Sequence, residues 1–423
     1  MEEITNIKIS ELCSKVCSGG TPKSSVPSYY DGNIPWLNTK EINFNRIYST
    51  EKSITEDGLN NSSAKWIDKN AVIVAMYGAT AGKTAISKIP LTTNQACCNL
   101  MIDADKADYR FVYYALVSEY NRLASLANGG AQQNLNAQQI KDFEIPFFSL
   151  KDQKRIANIL STLDDKIELN RRINDNLEQQ AQALFKSWFV DFEPFKDGKF
   201  VESEMGMIPE EWKVASLKEL VFNTNSGDWG KEEPTGNYTV RVYCMRGADF
   251  PEVKEGNIGK MPIRYILQKN FDNKALKHGN MIVEISGGSP TQSTGRAVLI
   301  DKIFIDYCEN ALVCTNFCRS LTIREKYALF FFLTWQCLYD KKVMFIYENG
   351  SNGLKNLNLN DLLEKETIVI PPLEIIERFN LLTAKLFELK YFNGSETARL
   401  NQIRDTLLPR LMSGELKIND LNC

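Results

Sequence analysis

The chain repeats itself, and no other feature limits its fold as tightly. NLNAQQIKDFEIP (Asn134 to Pro146) returns as NLNLNDLLEKETIVIP (Asn356 to Pro371). Asn134 and Asn356 stand 222 residues apart, and the same offset carries Thr93-Asn94 onto Thr315-Asn316. From Leu150 onward the offset is 223, pairing Leu150 with Leu373, Arg155 with Arg378, Asn170 with Asn393, Leu177 with Leu400 and Leu184 with Leu407. A period of about half the chain means two copies of one plan.

Each copy opens with a segment rich in strand formers and punctuated by Gly, Pro and Asn. It then crosses an Ile-Pro boundary (Ile145-Pro146, Ile370-Pro371) into a long helical pattern. In the first copy Ile156, Leu160, Leu163, Ile167, Leu177, Ala181, Leu184 and Trp188 keep three-four spacing, with Asn170 and Asn174 in the seam between Ile167 and Leu177. A helix of about 38 residues would extend roughly 57 Å, too long for one small domain to cover. The second, from about Leu373 to Met412, sets Leu382, Leu386, Leu389, Leu400, Ile403, Leu407 and Leu411 on the seam. Two such helices should pack on each other. Asn170 and Asn393 are either register-fixing polar residues in that seam or solvent-facing at a break, since Gly394 follows Asn393. The charged, Pro- and Gly-containing stretch after the first helix reads as a linker.

AMYGATAGKTAIS (Ala75 to Ser87) resembles a phosphate-binding loop and fails as one. Three residues rather than four separate Gly78 from Gly82-Lys83-Thr84, and the sequence that follows favours strands over a helix. Other chemistry is thin too. The single histidine, His278, lies in a polar run, which removes HExxH zinc sites and makes Ser-His-Asp catalysis improbable. GxGxxG, the Asn/Asp-Pro-Pro-aromatic motif of amino-methylating enzymes and the common nuclease core are all missing; Asp164/Lys166 and Asp197/Lys199 read as solvated charges. The ten cysteines form no CxxC pair, and Cys13/Cys17 and Cys314/Cys318 read as small buried hydrophobes rather than metal ligands. Without a leader pattern or a long apolar run the chain is expected in the cytoplasm. A net charge of −3 means that any nucleic-acid contact is local or shared with a more basic partner.

Several segments together resemble the specificity subunits of type I restriction-modification systems. In the first copy they are SGGTPKS (Ser18 to Ser24), GNIPWLNTKEI (Gly32 to Ile42), YGATAGK (Tyr77 to Lys83), TNQA (Thr93 to Ala96), GGAQQNLNAQQIKDFEIP (Gly129 to Pro146) and DQKRIANILSTLDDKIELN (Asp152 to Asn170). In the second they are GMIPEEWKV (Gly206 to Val214), NGSNGLKNLN (Asn349 to Asn358), IPPLE (Ile370 to Glu374) and LLPRLMSGEL (Leu407 to Leu416). The resemblance implies an α+β fold with an internal pseudo-twofold repeat. Two strand-rich target recognition domains (1–145 and 208–370) would alternate with two long helices (146–190 and 371–423), joined by a linker (191–207), the helices packing as an antiparallel coiled coil. It also implies that each domain reads one half of a bipartite site in double-stranded DNA while the helices set the spacing. Two modification subunits would bring S-adenosylmethionine and adenine N6 methylation. Restriction subunits would bring ATP with Mg, and this chain would bind no cofactor and perform no chemistry.

On that reading the candidates for DNA contact are Thr21, Lys23, Lys40, Thr80, Lys83, Gln132 and Gln133 in the first copy. In the second they are Ser289, Thr291, Gln292, Arg296 and Lys355. YGATAGK and its counterpart EISGGSPTQSTGRAVLI (Glu284 to Ile300) read as glycine-permitted turns; Lys83 and Arg296 either touch DNA or are solvated cations on structural turns. Gln132 and Gln133 suit adenine and Lys355 suits phosphate. Asn134 and Asn356 read as caps of the helices that follow, and Trp36 and Trp212 as core aromatics. The second copy has NTNSGDWG (Asn223 to Gly230) where the first has CSGGTPKS, and it lacks IPWL, so it should read a different half-site. Two other classes compete: an ATPase built on Lys83, and a coiled-coil scaffold without DNA readout.

Overall fold

A computed structural model describes residues 5–127, 134–289, 292–350 and 355–416. They fall into two compact units, 1–165 with 401–423, and 166–400. The division cuts through both long helices, α1 (Leu150–Phe189) and α2 (Leu373–Met412), so each unit contains a piece of both.

Unit 1 is built on a five-stranded sheet ordered Cys13–Ser18, Cys97–Ile102, Val72–Ala75, Thr84–Ser87, Asn45–Ile47, antiparallel except for the last pair. A second sheet sets Tyr30–Leu37 between Lys52–Ile54 and Thr92–Thr93, the last pairing parallel. A third pairs Thr5–Lys8 with Glu144–Phe147 just ahead of α1. Val72–Ala75 is fully buried, as a central strand covered on both faces must be.

Unit 2 repeats this plan. Its main sheet runs Val221–Ser226, Cys318–Ile323, Asn280–Glu284, Ala297–Leu299, one strand fewer than in unit 1. Its second sheet sets Tyr238–Met245 between Ile263–Leu267 and the parallel Leu312–Cys314, and Lys213–Ser216 pairs with Thr367–Ile370 ahead of α2. The IPWL element absent from the second sequence copy therefore has a structural equivalent in VYCM, the end of Tyr238–Met245, and both strands bury the same positions. Burial alternation is conserved by the ladder, whereas Trp36 against Cys244 is not visible as a match.

The ladders also correct the sequence register by one residue. Asn94 N–H donates to Leu37 O (3.0 Å) where Thr315 N–H donates to Met245 O (2.9 Å). Met76 N–H donates to Ala96 O (2.8 Å) where Ile285 N–H donates to Phe317 O (2.9 Å). Asn94 thus corresponds to Thr315 and Ala96 to Phe317, so the two Thr-Asn dipeptides are staggered.

The helices run antiparallel within each unit. In unit 1, Ile156, Ala157 and Leu160 of α1 share a core with Leu408, Leu411 and Met412 of α2, and Arg404 pairs with Asp164 at 2.9 Å. In unit 2, Phe185, Trp188 and Phe189 pack on Phe379. Between these, Asn393 donates to Asn174 Oδ1 (3.0 Å), Asn174 to Lys390 O (3.1 Å) and Asn170 to Thr397 Oγ1 (3.3 Å), all buried. α2 does not break at Gly394; a Cβ there would sit 1.8 Å from Glu255 O, so glycine lets the helix touch the neighbouring turn. Leu177, Leu184, Leu400 and Leu407 are half-buried. Leu382, Leu389 and Ile403, expected on the seam, are exposed. α2 carries two stripes at helical spacing, and the one that packs is Ile376, Phe379, Thr383, Lys390, Asn393 and Thr397.

The segment read as a linker is ordered. Phe200–Ser203 and Gly206–Pro209 form a hairpin, and Phe192 and Phe195 pack edge-on against Trp212.

Candidate nucleic-acid interface

Antiparallel strand order collects one set of connections at one end of each main sheet. In unit 1 these are the residues after Ser18, the turn between Ala75 and Thr84, and the residues before Cys97. Loops carried on a rigid sheet are the usual place for recognition.

The turn from Tyr77 to Lys83 is closed by Gly82 N–H to Ala75 O (2.8 Å) and Ala75 N–H to Lys83 O (2.9 Å). Gly78 and Gly82 take φ of +69° and +82°, the left-handed region that glycine enters without a Cβ clash. The turn joins two antiparallel strands, whereas a triphosphate-cradling loop leads from a strand into an α-helix. Tyr77 is exposed, and Thr80 donates to its carbonyl (3.3 Å). Lys83 is half-buried and donates to Asn43 Oδ1 at 2.8 Å. Lys40 pairs with Glu51, and Lys23 is exposed. Thr21 bonds the side chain of Gln95, which the sequence reading passed over. Gly19 makes this junction possible, since a Cβ there would lie 2.1 Å from Thr93 O.

Asn134 does not cap the helix after it. It bridges Tyr77, and the cap of Ala137–Asp142 is Asn136, in a capping box with Gln139. Likewise Asn356 pairs with Ser286, backbone and side chain, and Asn358 caps Leu359–Lys365. The first Asn of each NLN pairs across to the turn, by a single bridge to Tyr77 in unit 1 and within a short ladder to Ser286 in unit 2, and the second turns the chain into the helix. Gln132, Gln133 and Thr291 lie outside the described residues.

In unit 2 the equivalent turn is closed by Gly295 N–H to Glu284 O (2.8 Å) and Glu284 N–H to Arg296 O (2.9 Å). Glu284 replaces the buried Ala75, and this changes the role of the cation. Arg296 donates to both Glu284 oxygens (2.8 and 2.7 Å); that hydrogen bonding holds its pKa above the ordinary guanidinium value against the cost of burial. Lys355 is likewise taken up: it binds Glu348 at 2.8 Å above the Phe345 ring. Burial works to raise the Glu348 pKa, but hydrogen bonds from Lys355 and Thr294 lower it overall. Ser289 and Gln292 meet across the turn, with Ser289 N–H donating to Gln292 O at 2.7 Å. Phe317 stands exposed beside Ser286.

The structure thus brings Thr21, Thr80 and Lys83 to one end of the unit 1 sheet and Ser289, Gln292, Arg296 and Lys355 to the same end of unit 2. It ties Lys40, Arg296 and Lys355 to carboxylates of their own units. Tyr77, Gln95 and Phe317 lie at these same ends and were not among the sequence candidates; for Tyr77 and Phe317 the available signal was an aromatic beside polar residues, in YGAT and TNF.

Trp36 and Trp212 are buried. His278 is exposed, 3.8 Å from Asp301. Cys97, Cys98, Cys314 and Cys318 are buried, and burial pushes the thiols of Cys98 and Cys318 up to about 12. Among the described residues no His/Cys/Asp/Glu group could hold a metal, and no helix is long and apolar enough to cross a membrane.

Comparison with known proteins matches residues 1–179 and 209–403 to the type I restriction modification DNA specificity domain. The MjaIX type I restriction enzyme specificity subunit of Methanocaldococcus jannaschii is 31% identical, over 98% of this chain and 94% of that protein. The HindI type I restriction enzyme specificity subunit of Haemophilus influenzae is 26% identical, over 91% of this chain and 94% of that protein. The crystal structure of a type I restriction-modification S subunit from M. genitalium shares the fold, with a TM-score of 0.57 at 18% identity over 97% of both chains.

Proposed function

The chain belongs to the type I restriction-modification DNA specificity family, and on that premise we propose that its two units each read one half of a bipartite, asymmetric DNA site. The observation that carries this is the repeated sheet end with unlike side chains: Tyr77, Thr80, Gln95 and Lys83 in one unit, Ser286, Gln292 and Phe317 in the other, where Arg296 is held by Glu284. One scaffold holding two different sets of base-sized donors, acceptors and rings suits two different half-sites. The chain is non-catalytic. The bases between the half-sites go unread and contribute through phosphate contacts and deformability.

Partner subunits supply the chemistry: two modification subunits with S-adenosylmethionine for adenine N6 methylation, and restriction subunits with ATP and Mg. An exposed apolar stripe in unit 2 supports such a partner. Leu381, Leu382, Leu389 and Phe392 are exposed along one stripe of α2, away from the stripe that packs on α1. The modest net charge fits a DNA grip shared with more basic partners.

The test is a map of N6-methyladenine in DNA from cells expressing this chain with its modification subunits. A split motif with two unlike halves supports the reading. An unbroken or symmetric motif, or no methylation from an assembled complex, refutes it.

A further inference from the structure

Each unit holds an aromatic side chain in solvent at the same sheet end, delivered from a different strand. In unit 1 it is Tyr77, 43% exposed, beside Ala96, which is buried. In unit 2 the Tyr77 position is Ser286 and the Ala96 position is Phe317, 59% exposed. The large and small residues have changed places, and one exposed ring remains.

Among the described residues of unit 2, the packing does not account for that ring. Burying a phenyl stabilises a fold, and leaving it in water forgoes the gain. Its backbone is nevertheless fixed. Phe317 O accepts from Ile285 N–H (2.9 Å) and Ser286 N–H (3.3 Å), Thr315 N–H donates to Met245 O (2.9 Å), and Cys318 N–H to Thr315 O (3.0 Å). Gly227 packs so closely on this turn that a Cβ there would lie 2.1 Å from both Cys314 O and Thr315 O. A rigid tip carrying an unburied ring is pre-organised for contact rather than for folding.

We propose that Phe317 is a specificity-determining residue that reads a thymine through its C5 methyl group, an inference that rests on the DNA-reading role. A phenyl ring has no hydrogen-bonding group, and the thymine methyl is the apolar feature that a stacked duplex displays in its major groove. The polar groups next to it, Ser286 and its partner Asn356, are suited to neighbouring base edges.

The experiment uses the full chain assembled with its modification subunits and a duplex carrying the methylated motif. Thymines are replaced one at a time by deoxyuridine, which lacks the methyl group, and binding is measured for wild type, F317A and F317L. Wild type should lose about fivefold to tenfold at one thymine of one half-site. F317A should lose a similar factor on the unmodified duplex and be indifferent to uridine at that position, while F317L keeps part of the sensitivity. The inference is overturned if F317A binds like wild type. It is overturned equally if F317A binds weakly while wild type shows no uridine-sensitive position, the behaviour of a wedge between base steps. A wild-type complex with no preference for its motif would take the DNA-reading role down as well. Matching melting temperatures of the three proteins exclude misfolding.

Discussion

Asn393 donates a hydrogen bond to Asn174 Oδ1 at 3.0 Å, and Asn174 in turn donates to Lys390 O at 3.1 Å, so the apposed stretches of the two long helices in unit 2 are locked by a buried polar chain. Only one alignment of α1 against α2 satisfies these groups. A shift of one turn would leave amides buried without partners, a cost of about 1–3 kcal/mol each. We therefore expect Asn174→Ala to destabilise unit 2 by about 2 kcal/mol in chemical denaturation. The double replacement by Leu should cost less than the single Ala while relaxing the gap length tolerated between half-sites. A single-variant loss under ~0.5 kcal/mol would show that the chain of amides does not fix the register.

Glu178 sits against Lys390 at 2.6 Å with Lys254 nearby. Burial works to raise its pKa, but these cations bring it below the ordinary 4.5. A depressed carboxylate contributes stability that is fully present above the unfolded value and is lost as pH falls through the folded one. Wild type should therefore lose more stability than Glu178→Gln between pH 6 and about 3. Parallel denaturation curves for the two proteins across that window would contradict the assignment.

Gly19 and Gly227 occupy equivalent junctions, each with a carbonyl 2.1 Å from where a Cβ would go. Neither carbonyl can yield without opening its turn. Gly19→Ala should blur one half of the methylated motif and Gly227→Ala the other, each with more than about 2 kcal/mol lost in its own unit. Methylome sequencing of the two strains reads this directly, and loss of both halves in either strain would count against independent readers.

Lys83 and Arg296 occupy equivalent positions and should behave differently. Lys83→Ala removes a cation whose partner among the described residues is a neutral amide; binding should weaken about threefold to tenfold, with the salt slope reduced by about one. Arg296→Ala leaves Glu284 buried without its partner and should lower the stability of unit 2 by about 2 kcal/mol or more. Equal salt slopes for Lys83→Ala and wild type would remove Lys83 from the phosphate contacts.

The duplication, the alternation of strand-rich segments with long helices and the non-nucleotide turn were all legible in the sequence, because each rests on periodicity or spacing. What escaped depended on three-dimensional pairing. Periodicity cannot choose between the two stripes of α2, since Leu382 and Phe379 each belong to a regular row; the row that packs is the one with Phe379 and Asn393, and the close approach of Gly394 to Glu255 is visible only in three dimensions. The caps at Asn136 and Asn358 differ from Asn134 and Asn356 only by a bridge to another strand. The lost cation at Arg296 was invisible because its carboxylate, Glu284, is twelve residues away in sequence and adjacent only across the ladder.

The hydrogen bonds that close each turn, Ala75 with Gly82 and Lys83 in one unit and Glu284 with Gly295 and Arg296 in the other, form a neck that insulates the loop from the sheet. Between the closing pairs the second loop holds more residues than the first, yet the flanking strands keep the same order. On the proposed reading the loop would act as a cassette: insertions beyond the neck would alter what is read without moving the beams beneath, so a new target sequence would not need a new architecture.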